Sequence, residues 1–298
     1  MKKYYTVAFF CMLADSAYAQ SDKRDKSGFW DRVRISESME TAEQKEKPAQ
    51  FQVTIPKDGS ASWMFNTGIS YALSSNLTTS VQKISAEYHR NTLTDKEQNN
   101  FQAGYALTQL LSKNADNGLY LNADAQYAYD GVDIKNSVAS SLLLTWYKDA
   151  SEKGLSFNAL NFFDASSLFL SGFGGVQLQG IFDAKDAGSK GFIVRPLYVL
   201  AVQYNINKKD SSNKKDSTKF SAPKAALRFS VDYTGRVDAI NSTSYREHYT
   251  QQLKVGADYF LTYEPVKVSI GASYNYGSDP FKGLKQQQYW LLSLNFGK

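Results

Sequence analysis

The sequence predicts an all-β protein, a transmembrane antiparallel β-barrel of about 12 strands with a polar N-terminal tail. Three observations support this prediction. Apolar and polar residues alternate over long runs, the runs are longer than an ordinary soluble strand, and aromatic residues gather toward their ends. Counts of ten or fourteen strands would also fit the pattern.

The alternation is clearest near the C-terminus. From Leu253 to Tyr263, apolar residues at every second position oppose a polar set that includes Lys254 and Asp258, and residues 266–276 repeat the pattern. A soluble β-sandwich would alternate in the same way. Length separates the two, because strands in soluble domains average about five or six residues, whereas a tilted strand needs about nine to eleven to cross a bilayer.

Twelve runs have the character of strands, and residues 51–56 are a further candidate. The twelve are 62–74, 77–90, 99–112, 118–129, 134–148, 155–163, 169–182, 192–206, 223–234, 250–263, 266–276 and 286–296. Residues 165–182 carry no charge, but their glutamines, serines and glycines are too polar for a membrane helix and fit a strand with one wet face. We expect the glycines to mark a bend or bulge in the wall.

The N-terminus predicts export and a tail. Lys2 and Lys3, an apolar run from Tyr4 to Leu13, and Ala17-Tyr18-Ala19 form a secretory signal at 1–19, with Ala17 and Ala19 at the cleavage site. Residues 20–50 are polar and mixed in sign, and we expect a periplasmic tail with one short amphipathic helix near 27–35. The alternative is a plug inside the barrel, which would occupy 51–298.

Charge and motifs exclude several function classes. The formal net charge is +5, with lysines and arginines interleaved with acids, which does not predict nucleic-acid binding. The single cysteine, Cys11, lies in the expected signal, and the two histidines, His89 and His248, lack metal-ligand spacing. We therefore expect no cofactor and no metal.

The signal, the long alternating strands and the final stretch YWLLSLNF together resemble bacterial outer-membrane β-barrel proteins of the porin-like class. The resemblance implies a place in the outer membrane of a Gram-negative bacterium, in contact with lipid and lipopolysaccharide. It also implies that the barrel-assembly machinery recognises the terminal strand, which should close the barrel by pairing with the first strand. The residues of that strand are Tyr289, Trp290, Leu292, Leu294 and Phe296. Oligomeric state is left open.

The polar face supplies the candidate site. We expect seven residues to line the lumen, namely Asp124, Gln126, Arg228, Asp232, Lys254, Asp258 and Lys267. They could line a channel for passive diffusion of small solutes. Alternatively, they could pair into a network that closes the lumen, leaving a structural, adhesive or partner-binding role to the loops.

A third, weaker alternative is a lipid hydrolase centred on His248, which has Ser242, Ser244 and Glu247 nearby in sequence. Residues this close along a strand mostly alternate between faces rather than converge, so the sequence favours a non-enzymatic role.

The strand count also orients the loops. Counting back from a periplasmic C-terminus places 235–249 and 277–285 outside, and the lysine-rich 207–219 on the periplasmic side. A long periplasmic connection is unusual for such barrels, and Pro196 marks 192–206 as the strand whose assignment is most open.

Overall fold

The computed structural model describes residues 29–36, 49–54, 62–76, 80–92, 97–114, 117–148, 155–208, 224–244, 247–263, 267–280 and 284–297. Within these ranges the chain is nearly all antiparallel β-sheet, and all fifteen strands belong to one sheet. Their bounds are β1 Val33–Ser36, β2 Ala49–Thr54, β3 Ser62–Asn76, β4 Ser80–Asn91, β5 Gln98–Asn114, β6 Asn117–Asp130, β7 Lys135–Lys148, β8 Leu160–Phe162, β9 Ser166–Ala184, β10 Gly191–Asn207, β11 Ala225–Val237, β12 Ile240–Asn241, β13 Tyr249–Thr262, β14 Lys267–Asp279 and β15 Leu284–Gly297.

Twelve of the strands form a closed ring. Pairing runs in the order β2, β3, β4, β5, β6, β7, β9, β10, β11, β13, β14, β15 and returns to β2. The closing contact aligns Leu294 with Phe51 and Phe296 with Ala49. The prediction of about 12 strands in an antiparallel barrel is confirmed, with the last strand pairing with the first strand of the ring.

The membership of the ring differs from the prediction at one strand. Residues 155–163 form only the three-residue β8, which lies outside the ring and pairs with β9. Asn158 has a positive φ of 57°, and the Asn161 side chain bonds to backbone at Ser156 and Leu168. These side-chain hydrogen bonds to nearby backbone replace the strand pairing that alternation predicted here. The further candidate at 51–56 supplies the twelfth ring strand instead, as β2 between β15 and β3.

The segment before β2 is partly built into the sheet. Phe29–Asp31 form a single 3-10 turn, and β1 pairs with β3 through Val33 opposite Tyr71 and Ser36 opposite Gly68. The amphipathic helix expected near 27–35 is therefore wrong in its described part, where the chain is a turn and a strand. The signal cleavage residues Ala17 and Ala19 and most of the expected tail lie outside the described residues.

The two segments singled out for glycine and proline are both strands of the wall. β9 spans the charge-free stretch, and Gly175 sits where a Cβ would come 2.0 Å from the backbone oxygen of Leu142. That glycine permits close approach of β7 and β9 rather than a bulge. Pro196 lies between the end of the β10–β12 pairing at Val194 and the start of the β10–β11 pairing at Leu197. Proline has no backbone N–H, and on this edge of β10 none of the described strands is paired with position 196, so no hydrogen bond of the sheet is lost.

The two faces of the wall differ in polarity. β7, for example, buries Ser137, Ser141 and Thr145, and exposes Leu142 and Leu144 between them. Because the exposed side chains of a closed ring face outward, the buried polar set faces the lumen. Large apolar side chains are exposed around the ring, including Ile69, Ile84, Phe101, Leu144, Phe192, Leu200, Val231, Val255, Tyr259, Ile270 and Leu292. Among the described residues, no helix is long and apolar enough to cross a membrane.

Antiparallel order assigns every connection to one of two ends. We call the end that holds the start of β2 and the end of β15 the terminal end, and the opposite one the loop end. The lysine-rich connection after Asn207 leaves from the terminal end, as the strand count predicted. Its base is closed by a hydrogen bond from Lys208 N to Lys224 O of 2.8 Å, and residues 209–223 lie outside the described part.

Candidate functional site

The seven residues expected to line the lumen lie on the faces of their strands opposite the exposed apolar side chains, and their role in lining a lumen stays a prediction. Asp124 and Gln126 share the face of β6 opposite the exposed Tyr127 and Tyr129. The other five occupy the corresponding face of three consecutive ring strands: Arg228 and Asp232 on β11, Lys254 and Asp258 on β13, and Lys267 on β14.

The β11 and β13 residues are brought together as a ladder of opposite charges. Arg228 is the cross-strand partner of Asp258, and Asp232 is the partner of Lys254. Directly opposite side chains on one face of an antiparallel pair approach closely enough to interact, and opposite charges there are favourable. All four side chains keep part of their surface exposed, although the Oδ2 atom of Asp232 is buried.

Phe260 adds an aromatic contact that the prediction left out. Its ring is 1% exposed and lies between Arg228, whose guanidinium carbon is 4.8 Å from the ring centroid, and Lys267, whose ammonium is 5.0 Å away. Asn295 on β15 donates a hydrogen bond of 2.9 Å to Asp258 Oδ1. Phe260 belongs to the polar face by strict alternation, and that parity was the available signal.

Asp124 and Gln126 lie on β6, away from this ladder along the ring. Gln126 is buried, and a Cβ at the neighbouring Gly104 would come 2.6 Å from the Gln126 Cβ. Gly104 therefore leaves the space that the Gln126 side chain occupies.

Two buried ion pairs at the loop end were not predicted. Arg195 Nε lies 2.7 Å from Asp238 Oδ1 while its Nη1 donates 2.7 Å to Gln179 Oε1, and Arg236 Nη2 lies 3.2 Å from Asp279 Oδ1. Asp238 and Asp279 lie at or beyond the ends of the predicted strands. Alternation therefore gave no reason to place them in the lumen.

An apolar patch also faces the lumen. Leu143, Phe173, Leu197 and Val199, on β7, β9 and β10, form one buried cluster. Around it, buried polar side chains fill much of the lumen wall from β3 to β10, among them Asn66, Gln102, Asn122, Gln177 and Gln203. These side chains are less exposed than the half-buried charged ladder on β11 and β13.

The two histidines have different settings. His89 is 2% exposed, with Nδ1 3.1 Å from Asn66 Oδ1 and Nε2 3.1 Å from Glu87 Oε2. His248 is exposed at the loop end. Ser242, which the hydrolase alternative placed near His248, accepts a hydrogen bond at its Oγ from the backbone N–H of Phe192 at 2.8 Å. Among the described residues, no group of three or more His, Cys, Asp and Glu side chains could hold a metal ion.

The terminal strand carries the most exposed large apolar side chains. Trp290 and Leu292 are 76% and 78% exposed, and the Trp290 ring centroid lies 5.1 Å from that of Tyr274. Among the described residues, three rows of pairing join β15 to β2, through Leu294, Asn295 and Phe296.

No protein-family model matches the chain, and no curated protein matches its sequence.

Proposed function

We propose that the chain is an outer-membrane protein that spans the bilayer as this barrel and conducts small polar solutes. The membrane assignment is supported by the outward face, since exposed apolar side chains surround the ring and would be costly in water at this density. Eleven of the ring strands run 12 to 19 residues, against the roughly nine to eleven that a crossing needs.

Aromatic residues near strand ends support the same proposal. At the loop end, the hydroxyl of Tyr249 contacts the hydroxyls of Tyr198 at 3.2 Å and Tyr233 at 2.6 Å on the outer surface. At the terminal end, Trp146 is 57% exposed and stacks on Phe157 with centroids 5.0 Å apart. Tyr and Trp prefer the two membrane interfaces, where one end of the ring is apolar and the other is wet.

The proposed location rests on the sequence. A cleaved signal at 1–19 would deliver the chain to the periplasm of a Gram-negative cell, and the terminal strand would engage the barrel-assembly machinery. The terminal end would then face the periplasm, and the loop end would meet lipopolysaccharide. Because the lysine-rich connection leaves from the terminal end, a periplasmic contact fits it better than lipopolysaccharide does.

The channel proposal is carried by the accessible charged ladder. Arg228, Asp232, Lys254 and Asp258 remain half-buried on the lumen side while the outer face of the same strands is apolar. A wall that keeps charged side chains hydrated provides a polar path, and the packed side from β3 to β10 restricts that path to small solutes.

Planar-bilayer conductance tests the channel proposal. The purified protein should first migrate differently before and after boiling, so that folding is established. We expect small discrete current steps whose ion selectivity shifts when Lys254→Gln or Asp258→Asn is introduced. The matched Lys190→Gln variant, at an exposed loop-end lysine, should leave the selectivity unchanged.

The second candidate is a closed barrel that acts through its loops. The buried lumen-facing side chains and the apolar cluster of Leu143, Phe173, Leu197 and Val199 favour it. Silence from correctly folded protein would overturn the channel and leave this candidate.

A further inference from the structure

Cationic side chains gather around two aromatic rings at the terminal end of the lumen. We call this group the basic vestibule, and it comprises Lys208, Lys224, Arg228 and Lys267 with the rings of Phe260 and Tyr263. The ammonium groups of Lys208, Lys224 and Lys267 lie 5.7, 6.0 and 5.8 Å from the Tyr263 ring centroid.

The vestibule has an outer and an inner layer. Lys208 and Lys224 are exposed at the rim, whereas Arg228 and Lys267 are half-buried and flank the buried ring of Phe260 at 4.8 and 5.0 Å. The two rings touch, with centroids 5.2 Å apart. Positive charge therefore continues from the rim into the lumen.

Tyr263 fixes the centre of the group. Its hydroxyl donates a hydrogen bond of 2.7 Å to the backbone oxygen of Ala225, which ties the connection after β13 to the start of β11. Burial raises the pKa of Tyr263 above its usual value, and the opposing charge of Arg228 lowers it less. The hydroxyl stays protonated at neutral pH, so the ring adds no negative charge to offset the lysines.

The charge balance of the vestibule is positive. Two of its cations, Arg228 and Lys267, face Asp258, and Arg228 also lies near Asp232. The Asp258 Oδ1 atom accepts a hydrogen bond from Asn295. Four cations therefore stand against two carboxylates. Cation–π contacts attract the lysines to the rings but do not neutralise their charge. Between Lys208 and Lys224 the sequence carries four further lysines and two aspartates, a net charge of +2 beyond that of the vestibule itself.

We propose that the basic vestibule binds small multivalent anions bearing phosphate or carboxylate groups and gives the lumen a preference for anions. Ammonium and guanidinium donors form their strongest hydrogen bonds with such oxygens. A cleft lined by one sign of charge also raises the local concentration of the opposite ion. The anion preference rests on the proposed channel function, whereas binding at the vestibule does not require conduction.

Pyrophosphate titration by isothermal calorimetry tests the binding. The folded protein in neutral detergent should bind pyrophosphate at low salt, and Lys208→Gln/Lys267→Gln should weaken binding at least tenfold. The control, Lys190→Gln/Lys285→Gln, removes the same charge from loop-end lysines and should change the affinity less than twofold. No binding, or equal weakening by both double variants, would overturn the proposal.

Reversal potentials in a potassium chloride gradient test the preference separately. A conducting wild-type protein should favour chloride, and Lys208→Gln/Lys267→Gln should lower the chloride-to-potassium permeability ratio at least threefold. Conduction without that preference would refute the selectivity and leave the channel intact. Absent conduction with intact pyrophosphate binding would refute the channel and retain the site.

Discussion

At the scale of single residues, two adjacent glycines of β9 have opposite roles. A Cβ at Gly175 would come 2.0 Å from the Leu142 backbone oxygen, whereas a Cβ at Gly174 would meet nothing within 4 Å. We therefore expect Gly175→Ala to lower the free energy of unfolding by about 1–3 kcal/mol, because β7 and β9 must separate. The fraction of protein that migrates as folded on an unheated gel, measured against urea concentration, gives this loss.

Gly174→Ala is the matched control for that substitution. It should be neutral or slightly stabilising, since alanine costs less backbone entropy in a strand than glycine. Equal destabilisation by the two variants would contradict the close approach of β7 and β9.

The buried ion pair at the loop end gives a second prediction for individual residues. Arg195 and Asp238 are each 6% exposed at their side chains, with 2.7 Å between Nε and Oδ1. Arg195→Leu should lower the free energy of unfolding by about 3–5 kcal/mol, because it leaves a buried carboxylate without its cation. The same measurement of the folded fraction on unheated gels at increasing urea gives that loss.

The double variant Arg195→Leu/Asp238→Ala should lose clearly less than the two single changes sum to, since no unpaired charge remains. Lys190→Ala removes the exposed pair with Asp183 and should cost about 1 kcal/mol or less. Strict additivity of the Arg195 and Asp238 changes would contradict the pairing.

At the scale of strands, alternation predicted the ring wherever one face is apolar over the whole crossing. Eleven ring strands were expected within a few residues of their observed bounds. The failures have local causes. In 155–163, asparagine side chains compete for backbone hydrogen bonds. β2 has only six residues, too few for a long alternating pattern.

β2 is the element on which closure depends, and proline tests it. Phe51 is paired on both sides, with Phe65 of β3 and Leu294 of β15. Phe51→Pro removes an N–H from this ladder and should greatly reduce the fraction that migrates as folded protein without boiling. Ile35→Pro, in β1 outside the ring, should leave most of the protein folded. A reversed order of the two effects would refute the assigned roles.

At the scale of the whole molecule, the candidate site could be predicted only in part. Strand parity was enough to place Arg228, Asp232, Lys254 and Asp258 on one face, because parity is a property of the local sequence. Their direct cross-strand pairing depends on register, which alternation leaves free by steps of two residues. The contacts of Arg195 and Tyr263 involve residues at strand ends and in loops, where no periodicity reports the direction of a side chain.

Closure of the barrel is the central claim, and a disulfide across the β2–β15 seam tests it most directly. In a Cys11→Ser background, Phe51→Cys/Leu294→Cys joins two paired residues, whose Cα separation in an antiparallel ladder is about 4.5–5.5 Å and within disulfide range. Phe51→Cys/Trp290→Cys, four residues out of register on the same outer face, is the control. Efficient oxidation of the first pair alone in folded protein is the result we predict. Failure of that pair to oxidise, or equal oxidation of the control pair, would contradict the closed ring.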